Sequence, residues 1–191
     1  MNSFSKVLNR ELITDKRTCA LIGIASFSIA TALSAYAKAY LPFTPVPVTL
    51  QTFFVLLSGA VLGRKSGSIS QAVYILFGSI GLPVFAGGTY GLSYLFGPTG
   101  GYLFGFVLAS YFIGSVLKGS PKNLAFIAFS MTLGASIYFI SGMAWLSVFM
   151  KISLLKAFYL GVLPFVFGDT LKVAAASLLY YKFQNRISRI F

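Results

Sequence analysis

The chain has 191 residues, of which 57% are hydrophobic and only 9% are charged, whereas roughly a quarter of an ordinary soluble domain is charged, so the composition excludes a water-soluble globular domain. The formal net charge is +12, but the basic residues stand between apolar runs, a distribution that orients membrane helices and argues against nucleic-acid binding. Histidine is absent and Cys19 is the single cysteine, which excludes an internal disulfide and a His/Cys metal cluster.

Six apolar runs follow one another along the chain, and each is apolar on all sides, as helices in lipid or inside a bundle are. Since one crossing takes about 20 residues, we predict an all-α integral membrane protein, a bundle of six transmembrane helices. It forms one domain over residues 1–191, with a short cytoplasmic tail over 1–17. The predicted runs are 18–39, 48–62, 66–82, 101–117, 124–146 and 158–181. The first is too long for a signal-peptide core and predicts a retained helix.

Small residues recur at helical spacing in the first run. Such stripes let a second helix approach closely, either inside this chain or on a partner protein. One stripe consists of Ser26, Ala30 and Ser34, and a second, less regular one of Ala32, Ala35 and Ala39.

Lysine and arginine are divided unequally between the two ends of the predicted helices. They concentrate in the N-terminal tail, in the second and fourth connections and at the C-terminus, whereas the opposite side has only Lys38, Lys151 and Lys156. Because basic flanks are retained on the cytoplasmic side during insertion, both termini are expected in the cytoplasm.

Two connections on the outer side have an unusual composition. Residues 40–52 contain three prolines, which fix φ and remove backbone donors, so this segment is not a regular helix up to Pro47. Residues 83–101 are uncharged and rich in glycine and aromatic residues. We therefore expect both loops to fold over a pocket.

The last apolar run contains Asp169, the only acidic residue outside the N-terminal tail, and Lys172 three residues later on the same helix face. Each such charge costs about 2.5–3.5 kcal/mol at the centre of a span, so intramembrane ionisable residues indicate function. The alternative is a plain ion pair that only neutralises itself inside the bundle. The predicted direction of the helix places the pair in the outer half of the membrane, below the two loops.

No feature of the chain favours an enzyme. Residues 59–66 (Gly-Ala-Val-Leu-Gly-Arg-Lys-Ser) lack the residue order of a phosphate-binding loop and follow a membrane helix, so they predict a cytoplasmic turn without ATP hydrolysis. Nucleophile and base pairs such as Ser/His or Cys/His are impossible without histidine, and two of the three acids lie in the tail.

Four segments together resemble the BioY family, the biotin-specific substrate-binding (S) components of energy-coupling-factor (ECF) transporters. They occur in the family order over most of the chain. The segments are 45–52 (Pro-Val-Pro-Val-Thr-Leu-Gln-Thr), 81–88 (Gly-Leu-Pro-Val-Phe-Ala-Gly-Gly), 97–106 (Gly-Pro-Thr-Gly-Gly-Tyr-Leu-Phe-Gly-Phe) and 161–172 (Gly-Val-Leu-Pro-Phe-Val-Phe-Gly-Asp-Thr-Leu-Lys).

The resemblance implies a six-helix S-component bundle whose pocket is closed from outside by the first and third loops. It implies that Asp169 and Lys172 contact biotin, and that Thr49 and Gln51 belong to the same site. A carboxylate can accept from the ureido N–H groups while a lysine donates to the ureido carbonyl or, alternatively, to the ligand carboxylate.

The glycine and aromatic residues of the second outer loop complete the predicted site. Phe85, Tyr90 and Tyr94 are expected to cover the thioether ring and the aliphatic tail, and Gly88 ends one of the matching segments. Some relatives have a side-chain amide in this loop, and residues 86–94 contain none.

The resemblance also implies partners and a location. They are an ECF module of one membrane coupling subunit and two cytoplasmic ATPases, with the coupling subunit on the first helix, or self-association in a bacterial cell membrane. Biotin is then the transported ligand, and no cofactor is expected. The alternatives are an S component or stand-alone carrier for another small vitamin-like molecule, and a non-transport structural membrane subunit that binds no vitamin.

Overall fold

A computed structural model describes residues 16–119 and 123–190. The predicted tail up to residue 15 and the basic residue Lys122 lie outside the described residues. The described chain is mainly helical, with two short strands and one 3₁₀ turn. Its helices are α1 (Lys16–Ser34), α2 (Gln51–Ser79), α3 (Leu92–Leu95), α4 (Gly100–Leu117), α5 (Leu124–Met150), α6 (Leu154–Gly161) and α7 (Val166–Ile190); the 3₁₀ turn is Leu163–Phe165, and the strands are β1 (Lys38–Ala39) and β2 (Val48–Thr49).

Helix α2 contains the second and third predicted spans as two antiparallel arms. The chain reverses at Gly63, whose φ of 74° and ψ of 180° are not helical. The arms are in such close contact that a Cβ on Gly67 would lie 2.7 Å from Ser58 O. The predicted turn therefore occurs within 59–66, and it requires only one residue outside helical geometry.

Six apolar segments result when the arms of α2 are counted separately. Four stretches of the described chain are long and apolar enough to cross a membrane, namely Lys16–Ser34, Gly100–Leu117, Leu124–Met150 and Leu154–Ile187. Large apolar side chains such as Leu21, Leu33 and Phe167 are more than 60% exposed. An apolar surface of this kind is expected where lipid is the solvent.

The prediction of a first helix up to residue 39 is wrong at its C-terminal end. Helix α1 ends at Ser34, and Ala39 belongs to β1. The residues after the helix bind loop backbone instead, because Gly87 N donates to Ala35 O (3.2 Å) and Leu50 N donates to Ala37 O (3.1 Å). Ala32, Ala35 and Ala39 therefore do not form one helical stripe.

The last predicted span is also wrong as a continuous helix. Pro164 lies in the 3₁₀ turn that separates α6 from α7. A proline inside a helix removes one backbone hydrogen bond and clashes with the preceding turn. The break places Asp169 in the first turn of α7.

A buried polar network joins α1, α2 and α4. Gln71 Nε2 donates to Ser58 Oγ (3.1 Å), and Ser58 Oγ lies 2.9 Å from Ser110 Oγ. Ser28 Oγ donates to Ser70 O at 2.6 Å. Interhelical hydrogen bonds of this kind stabilise membrane bundles by fractions of a kcal/mol to about 2 kcal/mol each.

The small residues of α1 divide between its two faces. Ser34 is buried inside the chain, as is Ala35 just beyond the helix. Ser26 is exposed, and Ala30 and Ala32 are partly exposed. A partner can therefore reach only part of the predicted docking stripe, because the remainder packs against this chain itself.

Candidate functional site

The first outer loop begins with a small antiparallel ladder that fixes the position of Thr49. Lys38 pairs with Thr49 and Ala39 pairs with Val48. Two residues after the ladder, Gln51 begins α2. The ladder therefore holds the polar residues of the proline-rich segment at one end of the bundle.

The second outer loop folds against the first. Gly87 and Gly88 both have positive φ (77° and 78°), a region that favours glycine, in the turn closed by the Phe85–Thr89 bridge. Tyr36 Oη donates to Pro83 O at 2.5 Å, and Gly87 N donates to Ala35 O. The two loops thus cover the same end of the bundle, as their composition predicts.

A cavity of about 60 Å³ lies below the loops, between α2, α4, α5 and α7. Its volume has room for a few water molecules. The lining consists of loop residues, aromatic side chains and one charged cluster: Val46, Pro47, Thr49, Gln51, Thr52, Ala86, Tyr94, Thr99, Tyr102, Leu103, Phe106, Tyr138, Phe139, Phe165, Asp169 and Lys172.

Asp169 is the centre of the charged cluster and is only 5% exposed. Its Oδ1 accepts from Lys172 Nζ (2.5 Å) and from Thr52 Oγ1 (3.1 Å), and its Oδ2 accepts from Tyr138 Oη (2.7 Å). A carboxylate has about four acceptor sites, two on each oxygen. Oδ2 therefore keeps one acceptor site for a further N–H or O–H donor.

Lys172 uses all three of its N–H donors within the protein. Besides Asp169 Oδ1, its Nζ donates to Thr49 O (2.7 Å) and to Thr52 Oγ1 (3.0 Å). The ammonium thus connects α7 to the start of α2 and to the first loop. A ligand acceptor must displace one of these contacts in order to bind Lys172.

Gln51 lines the cavity with its amide held on both sides. Its Nε2 donates to Tyr74 Oη at 2.5 Å, and its Oε1 accepts from Thr49 Oγ1 at 3.1 Å. The bond to Tyr74 orients the Gln51 amide, and the bond from Thr49 connects this amide to strand β2.

Five of the predicted ligand residues line the cavity: Asp169, Lys172, Thr49, Gln51 and Tyr94. Phe85 is fully buried behind them, stacked on Tyr94 with ring centroids 5.1 Å apart and edge-on to Tyr74 at 5.7 Å. Gly88 and Tyr90 are not part of the lining, and Tyr90 is 59% exposed. In this arrangement Phe85 supports the site from behind, Gly88 is partly buried beside Tyr36, and Tyr90 is exposed.

Several lining residues do not stand out in the sequence. Thr52 lies in the proline-rich segment and binds both members of the ion pair, so its proximity to Gln51 was the available signal. Tyr138 lies in the middle of an apolar run, where nothing distinguishes it from a packing tyrosine. Thr99 has the one buried side-chain oxygen of the described residues that lacks a hydrogen-bond partner.

A second, wider cavity of about 510 Å³ lies between α5 and the α6–α7 segment. Its lining is mainly apolar, with Phe139, Ile140, Met143 and Phe158 among its residues. Asp169 is part of the lining of both cavities. The carboxylate therefore separates the loop-covered pocket from this cleft in the bundle.

The fold and the site define a class. A multi-pass membrane bundle with a loop-covered pocket and a hydrogen-bonded ion pair in its wall is the architecture of a membrane protein that holds a small ligand. The chain belongs to the BioY family, whose family model matches residues 6–189. Membership places the chain among transport proteins rather than enzymes.

Curated relatives agree with this family. A probable biotin transporter BioY of Pyrococcus horikoshii is 40% identical over 141 residues, 74% of this chain and 82% of the relative. The biotin transporter BioY of Thermotoga maritima is 42% identical over 139 residues, 73% of this chain and 81% of the relative.

A solved structure has the same fold. It is the crystal structure of the S-component for biotin from an ECF-type ABC transporter, with a TM-score of 0.84 and 26% sequence identity. The match covers 90% of this chain and 94% of the other. The predicted six-helix S-component bundle is thereby confirmed.

Proposed function

We propose that this chain captures biotin at the outer face of the membrane, as the substrate-binding subunit of an ECF-type vitamin transporter. The observation that carries the proposal is the buried Asp169, which lines the loop-covered cavity and whose Oδ2 accepts a single hydrogen bond among the described residues, from Tyr138. The names of the curated relatives and of the solved S-component support biotin as the ligand.

The chemistry of a ureido ring fits this wall. The ring has two N–H donors and one carbonyl acceptor, and Asp169 Oδ2 can accept one N–H beside its bond from Tyr138. The carbonyl can take one of the hydrogens of Lys172 in place of Thr52 or Thr49. Hydrogen bonds to charged groups are roughly twice as strong as neutral ones.

The apolar part of the ligand requires a larger cavity. The thioether ring and aliphatic chain are covered by Tyr94, Tyr102 and Phe106, which line the cavity beside the polar cluster. A volume of about 60 Å³ is too small for a bicyclic ligand. Binding therefore requires the cavity to widen, and we expect the two covering loops to move outward.

The surface of the chain accords with partners in the membrane. The outward face of α1 exposes Ile22, Ile29 and Leu33 beside the exposed Ser26. In the proposed assembly this face contacts the membrane coupling subunit of an ECF module, or a second copy of the chain where no module is present. The module includes two cytoplasmic ATPases, and biotin is cargo rather than cofactor.

The orientation and location belong to the same proposal. The whole chain forms one transmembrane domain in the cell membrane of a bacterium, with both termini in the cytoplasm. The loop-covered pocket then opens toward the outside. The excess of basic residues at the opposite end of the bundle supports this direction.

Equilibrium binding of biotin to the purified protein in detergent tests the ligand. We expect saturable binding by the parent and its loss in the single variants Asp169→Asn and Lys172→Met. Lys156→Met is the matched control, since Lys156 is exposed on α6 and outside the cavity lining.

Each alternative function predicts a different outcome of this binding experiment. A folded parent that binds another vitamin of a panel but not biotin is a carrier for that molecule. A parent that binds no vitamin, with Asp169 and Lys172 needed only for folding, is a structural subunit. Either result contradicts the biotin proposal.

A further inference from the structure

Lys38 is not part of the cavity lining but lies next to it, across the two-stranded ladder. It is paired across the two-stranded ladder with Thr49, a lining residue whose carbonyl binds Lys172. Directly opposed residues of an antiparallel pair project from the same face of the ladder. The ladder therefore holds Lys38 directly opposite Thr49, a residue of the cavity lining.

The side chain of Lys38 crosses the second loop at Gly87. A Cβ on Gly87 would overlap Lys38 Nζ, and the φ of this glycine is +77°. The preceding residue, Ala86, lines the cavity. Both the backbone conformation and the missing Cβ of Gly87 thus create space for an ammonium group beside the wall.

The charge of Lys38 has no carboxylate partner in the described part of the chain. Its Nζ donates to Tyr40 Oη at 3.0 Å and lies 4.5 Å from the centroid of the Tyr40 ring. Asp169 is the only carboxylate side chain in residues 16–119 and 123–190, and Lys172 binds it. Lys38 thus keeps its charge and further N–H donors for an anion.

Two hydroxyl-bearing side chains, Tyr94 and Thr99, belong to the cavity lining. Thr99 is 9% exposed, and its Oγ1 has no hydrogen-bond partner among the described residues. Burial raises the pKa of the Tyr94 hydroxyl, whereas interactions with Thr99, Thr89 and Lys38 act in the opposite direction. Tyr94 is thus a neutral hydroxyl close enough to Lys38 for that positive charge to lower its pKa.

We propose that Lys38, Tyr94 and Thr99 form an anion subsite that binds the carboxylate of the ligand, at the loop side of the pocket. The inference rests on the proposed function and deepens it, because it assigns the two ends of the ligand to different walls. The ureido ring binds the Asp169 cluster, and the carboxylate accepts from the Lys38 ammonium and the two hydroxyls.

The assignment separates Lys38 from Lys172, the other cation near the pocket. All three donors of Lys172 already bind Thr49, Thr52 and Asp169. A second carboxylate at Lys172 would also lie close to Asp169, and two like charges at one site repel each other. Lys38 has no acidic neighbour of this kind among the described residues.

The test compares biotin with biotinamide, which has the same rings but no negative charge. We expect the parent to prefer biotin, and Lys38→Met to reduce its affinity for biotin about tenfold while leaving biotinamide affinity unchanged. Lys38→Arg, which keeps the charge, is expected to keep the preference. Thr99→Val is expected to weaken biotin binding severalfold, and Lys156→Met to change nothing.

The outcomes distinguish this inference from the proposed function. Equal effects of Lys38→Met on both ligands, or none on either, overturn the anion subsite while biotin capture stands. Loss of both ligands in Asp169→Asn with a selective loss in Lys38→Met supports both proposals together. A folded parent that binds neither ligand overturns the proposed function and the subsite with it.

Discussion

Tyr138 Oη donates a 2.7 Å hydrogen bond to Asp169 Oδ2, joining the middle of α5 to the first turn of α7. Tyr138 is fully buried, and its ring is edge-on to Phe106, another lining residue. The bond orients the oxygen that keeps an open acceptor site. Tyr138 is therefore a positioning residue for the proposed ureido contact.

Tyr138→Phe removes this donor without changing the packing volume. Because hydrogen bonds to charged groups contribute about 1.5–3 kcal/mol, we expect biotin affinity to fall roughly tenfold and the unfolding temperature to fall moderately. Binding and thermal unfolding in detergent measure both. Tyr159→Phe is the control, since Tyr159 is 55% exposed on α6. Unchanged biotin affinity in Tyr138→Phe would contradict the positioning role.

Single and double variants of Asp169 and Lys172 distinguish an ion pair that binds ligand from one that only stabilises the bundle. Asp169→Asn leaves the Lys172 charge in the bundle without its partner, which costs about 3–5 kcal/mol in a buried pair. The double variant Asp169→Asn, Lys172→Met removes both charges. We expect it to regain most of the parent's thermal stability and to bind no biotin.

A double-mutant cycle of unfolding and binding makes this comparison. A double variant that binds biotin as the parent does would show that the pair only neutralises itself. If the double variant is as unstable as Asp169→Asn, the unpaired charge of Lys172 is not the cause of the lost stability.

The sequence predicts the parts of this molecule that depend on composition and on rare residues. Six apolar segments, two covering loops and the pair of Asp169 and Lys172 all follow from residues that lipid makes costly or that proline and glycine restrict. The place where α1 ends does not, because hydrogen bonds from the distant Gly87 and from Leu50 determine it. Local pattern contains no record of such contacts.

The residues of the candidate site also divide into those that the sequence predicts and those that it does not. Tyr138 and Thr52 reach Asp169 across 31 and 117 positions of the chain. Nothing in a uniform apolar run distinguishes the one tyrosine that faces a carboxylate from those that face lipid. The sequence also does not show that Phe85 packs between Tyr74 and Tyr94, behind the residues that line the cavity.

Gly87→Ala tests the contact between the second loop and Lys38. An alanine at φ +77° is strained by about 1–2 kcal/mol, and its methyl group displaces the flexible end of Lys38. We expect biotin affinity to fall more than biotinamide affinity. Gly81→Ala is the matched control, because Gly81 has φ +110° and no atom near the added methyl group. A similar loss of biotin binding in both variants would assign the effect to strain alone.

The Tyr94 hydroxyl predicts the pH dependence of binding. Burial raises the pKa of Tyr94 above the ordinary tyrosine value, so the group stays protonated as the pH rises toward that value. We expect biotin affinity to be level from about pH 6 to 9 with respect to this group. Tyr94→Phe keeps the stacking on Phe85 and is expected to weaken binding severalfold with the same level profile. A loss of affinity that begins below pH 9 and is absent in Tyr94→Phe would contradict this.

Tyr36→Phe tests whether the contact between the loops retains the ligand. The hydroxyl of Tyr36 donates to Pro83 O across the two outer loops, and this bond must break or move when they separate. Without it the closed arrangement loses about 0.5–1.5 kcal/mol, so we expect biotin to dissociate severalfold faster while the association rate changes less.

Stopped-flow displacement of a fluorescent biotin analogue measures the dissociation rate. Tyr90 is an exposed tyrosine of the second outer loop outside the cavity lining, so the Tyr90→Phe variant is expected to release biotin at the parent rate. Equal dissociation rates in Tyr36→Phe and the parent would show that the loops separate elsewhere, at the Gly87 contact with Ala35 or at the β1–β2 ladder.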